Sequence, residues 1–254
     1  MVPSHELIQR LIDTEVAYTI SRMRILERLP GNPIGIACHE IEDGGWALMA
    51  RGIPSPSFNR VVGLRAGHER QIEPLAAWYR ELGALGRVEL VPGESAGGLA
   101  RELARVGYYH SADHVAIVGD RDPPPSSSEA VTIEAVTEPP QMEAYLDAYV
   151  AGWGVPPEHH ERFKANVRAW LGEPGWLLYL ARIDDRPAAA ATLYLRDRVG
   201  YFADATTDST FRRRGMQTAL LMRRWRDAAA AGVDFVCSGA SFLSTSHRNM
   251  ERLG

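Results

Sequence analysis

The stretch Arg212-Arg213-Arg214-Gly215-Met216-Gln217-Thr218-Ala219-Leu220-Leu221 decides how the rest of this chain is read. Ahead of it, residues 199–207 predict a strand, and behind it residues 215–231 predict a helix closed by Gly232, so it sits at a strand-to-helix turn. The first turn of a helix offers N–H groups without intrahelical partners and the positive end of the macrodipole. A phosphate is held there largely by backbone. Gly215 permits close approach, and three arginines add charge, which fits a pyrophosphate. The plainer alternative is a solvated basic turn before an ordinary helix, since short Arg/Gly motifs recur widely.

With Phe211 before it and Ala219-Leu220-Leu221 after it, Arg212-x-x-Gly215-x-Gln217 resembles the acetyl-CoA loop of the GNAT superfamily of N-acetyltransferases, Arg/Gln-x-x-Gly-x-Gly/Ala. Gln217 replaces the second small residue, which leaves less room beside the phosphates but adds an amide that can donate. About 30 residues on, the segment from Ser244 through Asn249 to Gly254 resembles the family's second contact segment. The resemblance implies cofactor contacts from Arg212, Arg213, Arg214, Gly215, Met216, Gln217 and Thr218, mainly through backbone. It also implies main-chain bonds from Thr206 and Thr207 to the pantetheine amides, with Asn249 on the pantetheine side.

Composition excludes other classes. The 254 residues are 45% hydrophobic and 24% charged, ordinary for a globular chain of one large or two modest domains. The net charge of -4 provides no global field for nucleic acid or an anionic membrane. Cys38 and Cys237 are far apart in apolar runs and read as small buried hydrophobes, with no metal spacing or disulfide framework. No leader-like N-terminus or membrane-length apolar run is evident, so a cytoplasmic location without metal is expected. Gly-x-Ser-x-Gly, Walker and dinucleotide motifs are absent from the sequence.

Along the chain, residues 4–29 predict a helix with Ser4 as its cap, followed by a hairpin (34–41 and 46–50) that turns at Asp43-Gly44-Gly45. Strands follow at 58–64 and 87–91, helices at 69–82 and 95–106, and a strand at 114–118 taken as the last of the first domain. The Pro/Ser run within 122–130 reads as a linker. A second series then predicts a strand at 131–134, helices from 140 and 160, a hairpin about Asp184-Asp185, the strand and helix flanking the arginine loop, a strand at 235–238 and a helix at 246–253. Ala188 to Ala191 favour helix by propensity, but their neighbours alternate as in a strand.

The two halves repeat the same order of elements. The expected fold is therefore α/β (an α+β mixed sheet): two tandem GNAT-like domains, each a mostly antiparallel twisted sheet flanked by helices. The domains are read as 1–121, degenerate, and 131–254, cofactor-binding and lacking its last strands. The family's acid tyrosine lies just past the position of Gly254, so either the first domain supplies that edge or activity is impaired. In the first half the loop is Arg65-Ala66-Gly67-His68-Glu69, whose acidic residue at the helix start repels phosphate.

The resemblance implies an acetyl-CoA-dependent N-acetyltransferase with acetyl-CoA as co-substrate and the primary amine of a small molecule as acceptor. Asp204 near the strand end is the candidate base, set against a turn-supporting aspartate; Tyr201 reads as packing and His247 as exposed. Trp153, Trp170, Trp176 and Trp225 read as core, and His159-His160 as surface. The rival is a catalytically weak acyl-CoA-binding regulatory protein. A nucleic-acid binder using Arg212 to Arg214 with Arg223, Arg224 and Arg226 is disfavoured by the overall acidity. Neither nucleic acid nor membrane is expected as a partner, and a homodimer is left open.

Overall fold

The computed structural model describes residues 4–53, 55, 57–92, 97–124 and 131–253. The chain divides into two compact units, Met1–Ser111 and Ala112–Gly254. Most of the Pro/Ser linker (125–130) and Gly254 lie outside the described residues.

In the first unit, helix α1 (His5–Glu27) begins at Ser4, whose hydroxyl accepts the Leu7 N–H at 3.1 Å. Strands β1 (Ile36–Glu40) and β2 (Trp46–Ala50) form the hairpin, and Asp43, Gly44 and Gly45 take positive φ in its turn. Then come β3 (Arg60–Val62), α2 (Ile72–Glu81), β4 (Arg87–Val88) and α3 (Gly97–Arg105). The sheet order is β1-β2-β3-β4, antiparallel except for the parallel pair β3 and β4. Alternation along β2 feeds two cores: Ala47 and Met49 pack with Leu75, Tyr79 and Leu99, while Leu48 and Ala50 pack with Met23 and Leu26 of α1. Strands expected at 58–64 and 87–91 are shorter than the apolar runs suggested, because β3 and β4 pair over only two positions.

The second unit has a six-stranded sheet in the order β5-β10-β9-β8-β7-β6. Its strands are β5 (His114–Asp120), β6 (Thr132–Val136), β7 (Trp176–Ile183), β8 (Arg186–Arg196), β9 (Val199–Thr207) and β10 (Phe235–Ser241). Helices α4 (Pro139–Trp153) and α5 (His160–Arg168) precede β7, α6 (Met216–Ala230) links β9 to β10, and α7 (Thr245–Glu251) follows β10. Ala188, Ala189, Ala190 and Ala191 are fully buried in the central strand β8, against which both α4 and α6 pack. Small side chains on both faces let two helices approach the strand, which overrides their helical propensity. The tight turn at Asp184 and Asp185 takes positive φ at both residues, as a two-residue hairpin requires.

Strand β5 corrects the expected domain boundary. Read as the end of the first domain, it pairs instead antiparallel with β10 along its whole length, from His114 opposite Ser241 to Asp120 opposite Phe235. The edge of β10, for which the sequence reading offered the first domain as one source, is covered by this segment. A periodic apolar run fixes that a strand forms but not which edge it joins. β4, only two residues long, offers little ladder to compete with β10.

The second unit repeats the connectivity of the first: two antiparallel pairings and then a parallel one across a helix. β5 is bound to the second core by Trp225, whose indole N–H donates to the Asp120 carbonyl at 2.8 Å and whose ring lies where a Cβ on Gly119 would come within 2.5 Å. Replacing Gly119 with Val is therefore expected to destabilise the protein by about 2 kcal/mol, the usual cost of overpacking, measured by urea unfolding; a neutral effect would show that β5 is not seated against Trp225.

Candidate functional site

The site is organised by the point where two neighbouring strands part. β9 and β10 run parallel and pair from Val199 opposite Phe235 to Phe202 opposite Ser238, where the Ser238 hydroxyl donates to the Phe202 carbonyl at 2.8 Å. Their pairing stops there, although β9 continues to Thr207 and β10 to Ser241. Beyond Phe202, β9 pairs only with β8, and it gains one extra residue in doing so: Thr192 faces Ala203, whereas Ala190 faces Thr206. Asp204 sits in this bulge at φ 49, a left-handed conformation that aspartate tolerates better than most residues. The bulge also changes the facing of the strand. Phe202 and Ala205 both pack into the core under α6, while Thr206 lies against α4, where a Cβ on Gly152 would come within 2.3 Å of its hydroxyl oxygen. Residues three apart in a regular strand would face opposite ways.

A buried polar group lies beneath the bulge. Tyr145 of α4 shares a hydrogen bond of 3.2 Å with the hydroxyl of Thr192, and burial pushes its phenol pKa up, the nearby Asp204 charge adding to the shift. Arg224 of α6 reaches the same strand pair from the other helix and feels Asp204 as well. Asp204 is half-buried, and its charge acts on both groups.

The chain then enters the arginine loop. Asp208 accepts from the Thr210 N–H at 2.8 Å and so bends the chain towards Phe211, whose ring is buried. Arg212, Arg213 and Arg214 are exposed; Arg213 and Gly215 take φ 62 and φ 79, and helix α6 begins at Met216, which is buried. The N-cap Gly215 provides no side-chain hydrogen bond, and the first turn of α6 carries no acidic residue. The guanidinium of Arg186 lies 5.0 Å and that of Arg214 5.9 Å from the centre of the Phe211 ring, gathering cations at this end. Among the described residues, Arg186, Arg212, Arg213 and Arg214 have no carboxylate ion pair, whereas Arg168, Arg182, Arg198 and Arg223 of the same unit each have one.

Gln217 and Asn249, which the sequence reading placed on two sides of one ligand, meet directly. The Gln217 amide donates to the Ser246 hydroxyl at 3.0 Å and accepts from the Asn249 amide, so α7 is tied to the first turn of α6. Thr218 is half-buried in that turn. Thr206 is buried, and the Thr207 carbonyl accepts a long 3.4 Å bond from Arg212.

The corresponding loop of the first unit uses its own side chains instead. The Glu69 carboxylate accepts the Gly67 N–H at 2.9 Å, and the His68 ring accepts the Arg65 N–H at 3.0 Å. There a carboxylate of the protein stands where a phosphate would need to be.

Three expectations change. His247 is buried, not exposed: its Nδ1 accepts the Leu243 N–H at 3.0 Å, closing the turn before α7. Trp153 is 54% exposed at the end of α4, whereas Trp170, Trp176 and Trp225 are buried. Cys38 is half-buried rather than buried, unlike Cys237. Tyr201 packs in the core as expected. Sequence reading missed Ser238, Thr192, Tyr145 and the role of Arg224; only the last carried a signal, a cation in step with buried Leu220 and Ala228 on α6. Among the described residues no group of His, Cys, Asp and Glu could hold a metal ion, and no helix is long and apolar enough to cross a membrane.

Residues 126–242 match the family model of the acetyltransferase (GNAT) domain. Among solved structures, the chain is similar to a GCN5-related N-acetyltransferase from Kribbella flavida, with 18% identity and a TM-score of 0.62 over 94% of this chain and 90% of the other. A conserved protein of unknown function from Staphylococcus epidermidis matches with 12% identity and a TM-score of 0.61 over 87% of this chain and 90% of its own. A GCN5-related N-acetyltransferase from Sphaerobacter thermophilus matches with 18% identity and a TM-score of 0.58 over 77% and 67%. These likenesses share the mixed α/β fold, and two sheets fit tandem domains. No curated protein matches the sequence.

The tie between α6 and α7 is open to direct measurement. A double-mutant cycle of Gln217→Ala and Asn249→Ala is expected to give a coupling of about 1 kcal/mol in unfolding; strictly additive losses would show that the amides do not meet.

Proposed function

We propose that this chain is a GNAT acetyltransferase, whose domain model its residues 126–242 match, and that its second unit binds acetyl-CoA at the start of α6 and transfers the acetyl group to the primary amine of a small molecule. The observation that carries this reading is the α6 N-terminus: an uncapped first turn without acidic residues, beside exposed arginines that have no carboxylate ion pair among the described residues. Such a turn suits a pyrophosphate, because its N–H groups and dipole favour negative charge.

In this reading the backbone from Arg212 to Thr218 holds the pyrophosphate, with guanidiniums of the loop neutralising it. Thr206 and Thr207 use main-chain groups on the side of β9 that has left β10, and Asn249 and Gln217 border the same opening from α7 and α6. When bound, acetyl-CoA supplies the acetyl group as an activated thioester. The reaction joins the amine nitrogen to the acetyl carbon, releases a thiol, and frees one proton when the amine enters as an ammonium. In this reading Asp204 takes this proton, directly or through water; it lies in the bulge of β9, past the point where pairing with β10 ends. Pre-set backbone donors at the bulge polarise the thioester carbonyl at no cost in reorganisation.

Thermal unfolding with acetyl-CoA tests the reading. Ligand at 100 times its Kd adds about 2.7 kcal/mol to the folded state, so the midpoint must rise. Replacing Gly215, held at φ 79, with Val is expected to abolish that rise. Thiol release that quickens on adding an amine supports transfer; binding without it supports instead a catalytically weak acyl-CoA-binding regulatory protein. An unchanged midpoint for the native chain would refute both.

A further inference from the structure

Arg224 is 1% exposed, and its hydrogen bonds among the described residues go to main-chain carbonyls: Nε to Leu220 at 3.1 Å, and one Nη1 to both Thr192 at 3.0 Å and Ala203 at 3.3 Å. Its guanidinium lies 4.8 Å from the centre of the Phe202 ring. Burial pushes its pKa down to about 10, so it stays cationic near neutrality. Burying a charge without an opposite charge in contact is costly, and an apolar side chain would fill the same space on α6 more cheaply.

What the arginine holds is specific. Thr192 and Ala203 face each other in the ladder and form the last regular pair before the extra residue of β9. A single guanidinium nitrogen spans both carbonyls, from the helix that also starts the arginine loop. The Ala203 carbonyl and the Asp204 N–H belong to one planar trans peptide and point in opposite directions. Fixing the first therefore aims the second.

Building on the acetyl-CoA reading above, the geometry points to Arg224 as a positioning residue for acyl transfer, which locks the 203–204 peptide and so sets the direction of the Asp204 N–H and carboxylate at the bulge. It touches neither the thioester nor the amine. It acts through the backbone that does.

The test uses the full chain and two variants. R224M removes the charge and every donor; R224K keeps the charge but gives up the Nε bond to Leu220 and the planar head that fixes the Nη1 nitrogen between the two carbonyls, and serves as well where R224M does not fold. Amine-dependent thiol release is expected to fall about 100-fold in kcat for R224M, the scale of a small misplacement of reacting groups, and less for R224K, with acetyl-CoA affinity unchanged in both. Hydrogen exchange is expected to quicken at residues 203–206 and to stay unchanged in β1 and β2. Native-like turnover, or a parallel loss of affinity, turnover and exchange protection throughout the unit, would overturn the positioning role and leave Arg224 as a general core residue. Failure of the native chain to respond to acetyl-CoA would instead overturn the cofactor reading. Unchanged exchange at 203–206 in the variants would, independently of any ligand, overturn the lock.

Discussion

One extra residue in β9 separates this sheet into a closed half and an open half. Up to Phe202 the strand has hydrogen-bonded neighbours on both sides; after the bulge at Asp204 it keeps only β8. A sheet that parts within its interior exposes backbone groups, and such groups are costly unless something satisfies them. Here the closed half ends on a buried Ser238 hydroxyl, and the bulge is underlaid by Arg224 and Tyr145 from the two covering helices. The arginine loop starts from the same strand end, so the bulge sets where the positive helix terminus lies relative to the opening. A local irregularity of backbone thus determines the position of each element of the candidate site.

Comparison of the two loops shows how little chemistry separates a ligand site from a structural turn. Both follow the first strand of the parallel pair, and both contain a glycine at positive φ, Gly67 or Gly215. In the first unit, Glu69 and His68 accept the loop N–H groups from within the loop. In the second, the corresponding positions after the glycine are Met216 and Gln217, arginines precede it, and the helix starts uncapped. The first arrangement stabilises its own chain. The second leaves donors for an anion, at the cost of repulsion among neighbouring cations when none is bound.

Features encoded locally were legible in the sequence. The bounds of β9, the Asp184-Asp185 hairpin, the Ser4 cap and the helix after Gly215 follow from periodicity and turn chemistry over a few residues. The choice of partner for β5 was not legible, because its apolar pattern suits either sheet, whereas the short β4 edge and the Trp225 contacts with Gly119 and Asp120 favour β10 only once the fold is formed. Nor was the bulge: Asp204 reads as one more residue of an alternating strand until the pairing of Ala190 and Thr192 is known. His247 looked exposed because its helix is short and polar, yet its ring closes a turn through a backbone contact that carries no sequence signature. Arg224 was considered only beside Arg223 and Arg226 in the disfavoured nucleic-acid reading, although its spacing from Leu220 and Ala228 placed it on the apolar face.

Strand β5 also bears on how the second sheet is assembled. It is the first strand of its sheet to be synthesised, and its partner β10 is the last. While the ribosome makes everything between, β5 has no neighbour in its own sheet, and the ladder that seats it closes only after β10 has emerged. Contacts so distant along the chain carry a large loop-closure entropy and form slowly. Until they do, β5 is an unpaired edge at the start of the second unit, prone to capture by another nascent copy. The sheet that carries the candidate site is therefore completed by the longest-range strand pairing among the described residues.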